Sequence, residues 1–109
     1  MISTTAQPVR TIFFERRELD QLLTVYGRFV SAGLWRDYAM DALSDRALFS
    51  IFRRSSEAPL YQIQKKPSDA RRQGAYSVHT SNGLILRRGH ELPAVLKIFD
   101  QKLIRLVAE

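Results

Sequence analysis

From Phe13 onward the chain moves between two spacings of apolar residues. Leu19, Leu22, Leu23, Tyr26, Phe29 and Val30 recur at the i, i+3, i+4, i+7 interval of one helix face, and Asp20, Gln21, Thr24, Arg28 and Ser31 fill the other side. Phe14 and Leu19 are spaced as a hydrophobic staple, with Glu18 placed to reach back to the start of the helix. Glu15 is a poor N-cap compared with aspartate or serine. Gly33 stands where a left-handed C-terminal cap is expected. Gly27, inside the helix, costs about 1 kcal/mol relative to alanine, and is read as admitting the close approach of another element.

The next spacing is that of strands. Tyr38, Met40 and Ala42 alternate with Asp37, Ala39 and Asp41, which predicts a half-buried strand within Leu34–Leu43, although a continued helix would also place Trp35, Tyr38 and Ala42 together. Ser44-Asp45 marks a turn. In Arg46–Arg54, Ala47, Phe49 and Ile51 share one face, while Leu48, Ser50 and Phe52 share the other, as in a strand covered in part on both sides. Residues 55–59 read as a loop of hairpin length. Leu60–Lys66 is a strand between Pro59 and Pro67, with Tyr61 and Ile63 inward and Gln62 and Gln64 outward. Residues 67–74 form a polar connection with room for one helical turn.

A hairpin follows. A two-residue turn at Asn82-Gly83 would set Val78 against Arg87. A three-residue loop, Ser81-Asn82-Gly83 with Gly83 left-handed, pairs Thr80 with Leu84, Val78 with Leu86 and Tyr76 with Arg88. The second register matches apolar with apolar and is preferred, leaving Ser77, His79, Ile85 and Arg87 on the other face. Glu91–Val107 is again helical, with Leu92, Val95, Leu96, Phe99, Leu103, Leu106 and Val107 in one stripe. Pro93 is tolerated in the first turn. The fold class is therefore α+β: an N-terminal helix, an antiparallel sheet of four or five strands in meander order, and a C-terminal helix, with both helices on one face. Residues 1–12 are expected as a disordered lead-in and 13–109 as one domain.

Composition narrows the chemistry. There is no cysteine among the 109 residues, hence no disulfide, thiolate ligand or cysteine nucleophile. No apolar run is long enough to span a bilayer, and the N-terminus lacks a secretory pattern, so a cytoplasmic protein with no membrane partner is expected. The net charge of +6 is unevenly spread. Nine Lys and Arg lie between Arg46 and His90 against only Glu57 and Asp69, so the excess belongs to the middle of the chain. In a meander, Lys65-Lys66, Arg71-Arg72 and Arg87-Arg88 fall at one end of the sheet and Arg53-Arg54 at the other. Six cations at one rim suit phosphate or carboxylate; the competing reading is ordinary solvation of strand ends and protection against edge pairing.

Other residues carry less. Tyr61, Tyr76, Phe49 and Phe52 lie among these cations, but Tyr61 and Tyr76 are on faces assigned to the core, against a base-stacking role. His79 and His90 are too few for a histidine metal cluster, and Asp37 and Asp41 have no nucleophile motif or phosphate loop nearby. No catalytic constellation, metal site or cofactor is read from the chain, and no enzyme is expected.

Tyr26-Gly27-Arg28, Ala32–Tyr38 (AGLWRDY), Phe52–Glu57 (FRRSSE), Ala70–Tyr76 (ARRQGAY) and Leu86–Leu92 (LRRGHEL) resemble a small alphaproteobacterial family of short, stand-alone proteins of unknown function. The likeness runs from about residue 13 to the C-terminus; Glu15 departs from the Asp or Asn that precedes the first helix in that pattern. The resemblance implies no activity, cofactor or catalytic residue. The leading expectation is a non-enzymatic binding module that uses Lys65, Lys66, Arg71, Arg72, Arg87 and Arg88 to engage nucleic acid or an acidic protein surface. The alternative is a structural or regulatory protein-interaction module, as a homodimer, joined through a sheet edge or the apolar side chains of Leu48 and Phe52.

Overall fold

The computed structural model describes residues 11–54 and 58–107. Helix α1 (Arg16–Ser31) is followed by strands β1 (Asp37–Ala42), β2 (Ala47–Phe52), β3 (Tyr61–Lys65), β4 (Tyr76–Thr80) and β5 (Ile85–Gly89), then helix α2 (Leu92–Val107). The sheet is an antiparallel meander in the order β1-β2-β3-β4-β5. Both helices lie against one face. The lead-in assigned to residues 1–12 falls mostly outside the described residues, although Ile12 already donates its N–H to Leu43 O at 2.7 Å. Of the loop expected at 55–59, residues 55–57 also fall outside.

Glu15 is the N-cap of α1, and Glu18 Oε1 accepts from its N–H at 2.7 Å. Phe14 is buried and Leu19 half-buried, as the staple requires. At the other end Gly33 has φ +76°; its N–H donates to Val30 O and that of Leu34 to Phe29 O, both at 2.9 Å. These two bonds close the last turn, and the reversal carries Trp35 back under the helix. There Trp35 stacks on Phe29 with centroids 4.0 Å apart, and meets Phe99 edge-on at 5.3 Å.

The core lies between the helices and the inner sheet face. Phe49, Ile51, Ile63, Val78, Val95 and Phe99 are essentially inaccessible. Tyr61 packs edge-on against Phe99 at 5.2 Å, which uses its ring in the core and removes it from base stacking. The α2 stripe is buried at Leu92, Val95, Leu96 and Phe99; the side chains of Leu106 and Val107 lie outside those described.

Three local expectations are corrected. The first concerns β1, which is a strand but exposed at all six positions, not half-buried. Two helices side by side cover about 20 Å, whereas five strands span about 24 Å. With α2 over β4 and β5, and α1 beside it, the β1 edge is left uncovered. The second is the close approach at Gly27, where a Cβ would meet nothing within 4 Å.

The third is the hairpin register. Its loop is as expected: Gly83 has φ +85° and Thr80 N–H donates to Leu84 O at 2.8 Å. A bulge then intervenes, so that Val78 pairs with Arg87, Ser77 with Arg88 and Tyr76 with Gly89. Leu86 is the extra residue and packs at the core margin. The slip brings a glycine under α2, where a Cβ would already lie 3.2 Å from Val95 Cγ2. Arg88 shares Ser77's side of the sheet, away from the helices, and Arg87 shares Val78's, toward them, the reverse of the faces expected for the two.

Among the described residues, no helix is long and apolar enough to cross a membrane.

Candidate anion-binding rim

The register row Lys65–Tyr76–Gly89 forms one end of the sheet. Lys66 follows β3 and donates its N–H to Ala75 O at 2.7 Å, which pins both ends of the connecting loop. A short 3-10 turn at Pro67–Asp69 opens that loop. Asp69 O accepts from the N–H groups of Arg72, Gln73 and Gly74 at 3.1, 3.2 and 3.1 Å, so the backbone closes tightly and leaves Arg71 and Arg72 exposed. Gly74 returns the chain against the backbone of Gly89. The loop therefore sits next to the end of β5 that carries Arg87 and Arg88. The opposite end holds Arg53 and Arg54, just after Phe52.

The six cations have different surroundings. Lys65 points to the helix side: its Nζ lies 2.8 Å from Glu18 Oε1 and 3.1 Å from Phe13 O, with the side chain 14% exposed. Tyr76 donates its hydroxyl to Glu18 Oε2. This network ties the start of α1 to β3 and β4. Burial raises the Glu18 carboxyl, but hydrogen bonds from Lys65, Tyr76 and the Glu15 N–H, with the Lys65 charge, outweigh it and hold the group below the usual 4.5. The Tyr76 phenol is pushed well up, by burial first and then by its bond to Glu18. Arg88 Nη1 stands 3.6 Å from Asp69 Oδ2, so β5 and the loop are also joined by charge. Lys66, Arg71, Arg72 and Arg87 have no ion-pair partner among the described residues. Of these, the two loop arginines and Arg87 are exposed and Lys66 half-buried.

Beside the rim, the outer sheet face is polar and crowded. Arg46 Nη1 donates to Gln64 Oε1 at 3.1 Å, Gln62 Nε2 to Ser50 Oγ at 3.0 Å, and Ser77 Oγ and His79 Nε2 are hydrogen-bonded at 2.7 Å. Ser50, Gln64 and Ser77 are buried among these neighbours. Gln64 is therefore outward in the strand but not exposed. Such residues are invisible as a network in the sequence, where only the alternation of Gln62 and Gln64 signals an outward face.

His79 is held neutral, by burial first and then by the charges of Arg88 and Arg46, which lower its pKa from 6.5. A histidine with a depressed folded pKa contributes stability that is present above the unfolded value and lost as pH falls through the folded one. The melting temperature is thus expected to drop as pH falls below 6.5, and His79→Gln to flatten that segment of the profile. An unchanged slope in the variant, read by circular dichroism, would count against this assignment.

Two hollows flank the helices. One of about 470 Å³ is lined by Glu15, Arg17, Glu18, Tyr76, Glu91 and Lys97 among others, and one of about 400 Å³ lies between α1 and α2 around Val25, Arg28, Leu96 and Asp100. Arg28 and Asp100 pair across the latter at 2.7 Å. Among the described residues, no group of three histidine, aspartate or glutamate side chains is placed to hold a metal ion. His90 is exposed just before α2.

No curated protein and no solved structure matches the chain. A family model described as "Protein of unknown function (DUF2794)" matches residues 12–96, from the residue that ties the N-terminal segment to Leu43 through to the first turns of α2. The match takes in α1, all five strands and the loop that holds Arg71 and Arg72, and the chain belongs to that family.

Proposed function

We propose that the protein is a non-enzymatic binding module whose basic sheet end, Lys66, Arg71, Arg72 and Arg87 with Arg88 beside them, engages the phosphate backbone of nucleic acid. The reading is supported by four cations that have no ion-pair partner among the described residues and that belong to one loop and to the strand whose end that loop packs against. Lys65 belongs to the Glu18 network and supports this surface from behind. Arginine favours bidentate contact with phosphate, and a tight loop presents its side chains with less entropy to lose than a slack one.

Binding of labelled single- and double-stranded oligonucleotides across a salt series tests the reading. Each phosphate neutralised on duplex DNA contributes about 0.9 to the slope of log affinity against log salt, so four contacts give a slope of about −3.6. Replacement of Lys66, Arg71, Arg72 and Arg87 by serine is expected to flatten the slope and weaken binding without lowering the melting temperature, since none of them has an ion-pair partner among the described residues. Absence of binding at low salt, or the same slope in the variant, refutes the proposal. Retention of polyglutamate but not of polynucleotide would assign the rim to an acidic protein surface.

A further inference from the structure

The β1 edge is the least covered part of the sheet. All six of its residues are exposed, and no strand adjoins its outer side among the described residues. Leu43 N–H donates to Arg46 O at 2.8 Å. By the antiparallel alternation, that bond assigns Asp41, Ala39 and Asp37 to the hydrogen-bonded pairs with β2, and turns the backbone groups of Tyr38, Met40 and Ala42 outward. A row of unpaired backbone groups is a template for another strand.

The two sides of this edge differ in chemistry. On the helix side Tyr38 and Met40 are 41% and 50% exposed. Tyr26 meets Tyr38 edge-on at 4.9 Å, which places the outer stripe of α1, Leu19, Leu23, Tyr26 and Val30, alongside β1. Met40 also lines, with Phe13 and Leu19, a largely apolar hollow of about 240 Å³. On the opposite side stand Asp37 and Asp41, about 14 Å apart along the strand, with no ion-pair partner among the described residues. In a chain of net charge +6, this is a local acidic strip.

The carboxylates decide between occupants. Two copies paired edge to edge about Ala39 would set Asp37 of each chain opposite Asp41 of the other, and about Met40 would set the two Asp41 side chains diagonally across the seam; like charges so placed repel. A basic strand has no such penalty. We propose that β1 accepts, as a sixth strand, an extended segment of a partner protein in which lysine or arginine alternates with apolar residues. Its backbone pairs with Tyr38, Met40 and Ala42. Its apolar side chains enter the groove between β1 and α1, and its cations lie opposite Asp37 and Asp41.

An eight-residue peptide alternating lysine and valine, carrying a terminal fluorophore, is the probe. Saturable binding is expected by anisotropy, with slowed amide exchange at Tyr38, Met40 and Ala42, and no binding of the glutamate–valine counterpart. Asp37→Lys/Asp41→Lys is expected to weaken the lysine–valine peptide at least tenfold and to admit the glutamate–valine one, at an unchanged melting temperature because both positions are exposed. The serine replacements at the basic rim should leave this binding intact, which separates the two surfaces. No binding, equal binding of both peptides, an unaltered affinity in the lysine variant, or protection of the same three amides by dimerisation of the free protein would overturn the proposal.

Discussion

Alanine at Gly74 is expected to lower the thermal midpoint by roughly 10–30 °C, or to prevent folding. A Cβ there would stand 2.1 Å from Gly89 C and O and 2.7 Å from His90 N. These are backbone atoms of the strand end, so no rotamer change relieves the overlap. The residue also has φ +95°, a conformation that L side chains rarely adopt. Overpacking and strain together are worth about 2–5 kcal/mol, and each kcal/mol moves the midpoint of a domain this size by about 4–8 °C. Two other glycines calibrate the result. Gly89→Ala meets only the Val95 methyl at 3.2 Å and should cost less. Gly27→Ala meets nothing within 4 Å and should stabilise α1 by about 1 kcal/mol. Melting curves of the three variants test the order; a Gly74 variant as stable as the wild type would show that the loop does not pack on β5 in solution. The same contact holds the loop of Arg71 and Arg72 against the end of β5, the surface proposed above to bind nucleic acid.

Replacing Lys65 by methionine is expected to cost about 3 kcal/mol at neutral pH, because it leaves the Glu18 carboxylate largely buried without its cation. The side chains of Lys65 and Glu18 are 14% and 12% exposed, so water compensates little. The double replacement Glu18→Met/Lys65→Met should cost clearly less than the two single changes combined, since it removes both charges at once. The pH profile gives an independent reading. Glu18 is depressed below 4.5, so its contribution is complete above that value and is lost as pH falls through the lower, folded pKa. In the Lys65 variant the carboxyl loses both a hydrogen bond and a charge, so its folded pKa rises toward the unfolded value and the acid loss should shrink. Denaturant midpoints between pH 7 and 3 test both statements. An additive double variant, or an acid loss that does not shrink, would show the pair to be independent surface charges. The Arg28–Asp100 bridge is the useful contrast: with side chains 49% and 45% exposed, it should be worth at most about 1 kcal/mol.

These contacts mark the boundary of what could be read from the chain alone. The staple of Phe14 and Leu19 around Glu15, the reversal at Gly33 and the Ser81-Asn82-Gly83 loop depend on neighbours within a few residues, and all stand as expected. The alternation of Tyr38, Met40 and Ala42 correctly announced a strand. Its burial did not follow, because that depends on what lies above the strand, and two helices do not reach across five strands. The bulge at Leu86 answers to Gly74 and to Val95 of α2.

The basic rim divides in the same way. Strand count and alternating direction bring the pairs at 65–66, 71–72 and 87–88 to one end, as the periodicity implied. Which members are tied up was decided by partners distant in sequence: Glu18 lies 47 residues before Lys65, and Asp69 meets Arg88 from the far side of a hairpin. Short-range patterning thus determined the elements, their order and the meander, because helix and strand periods and turn chemistry are local properties. Exposure of β1, the slipped register and the sorting of six equivalent-looking cations came only with the packed chain, because burial and charge pairing depend on residues that folding alone brings together.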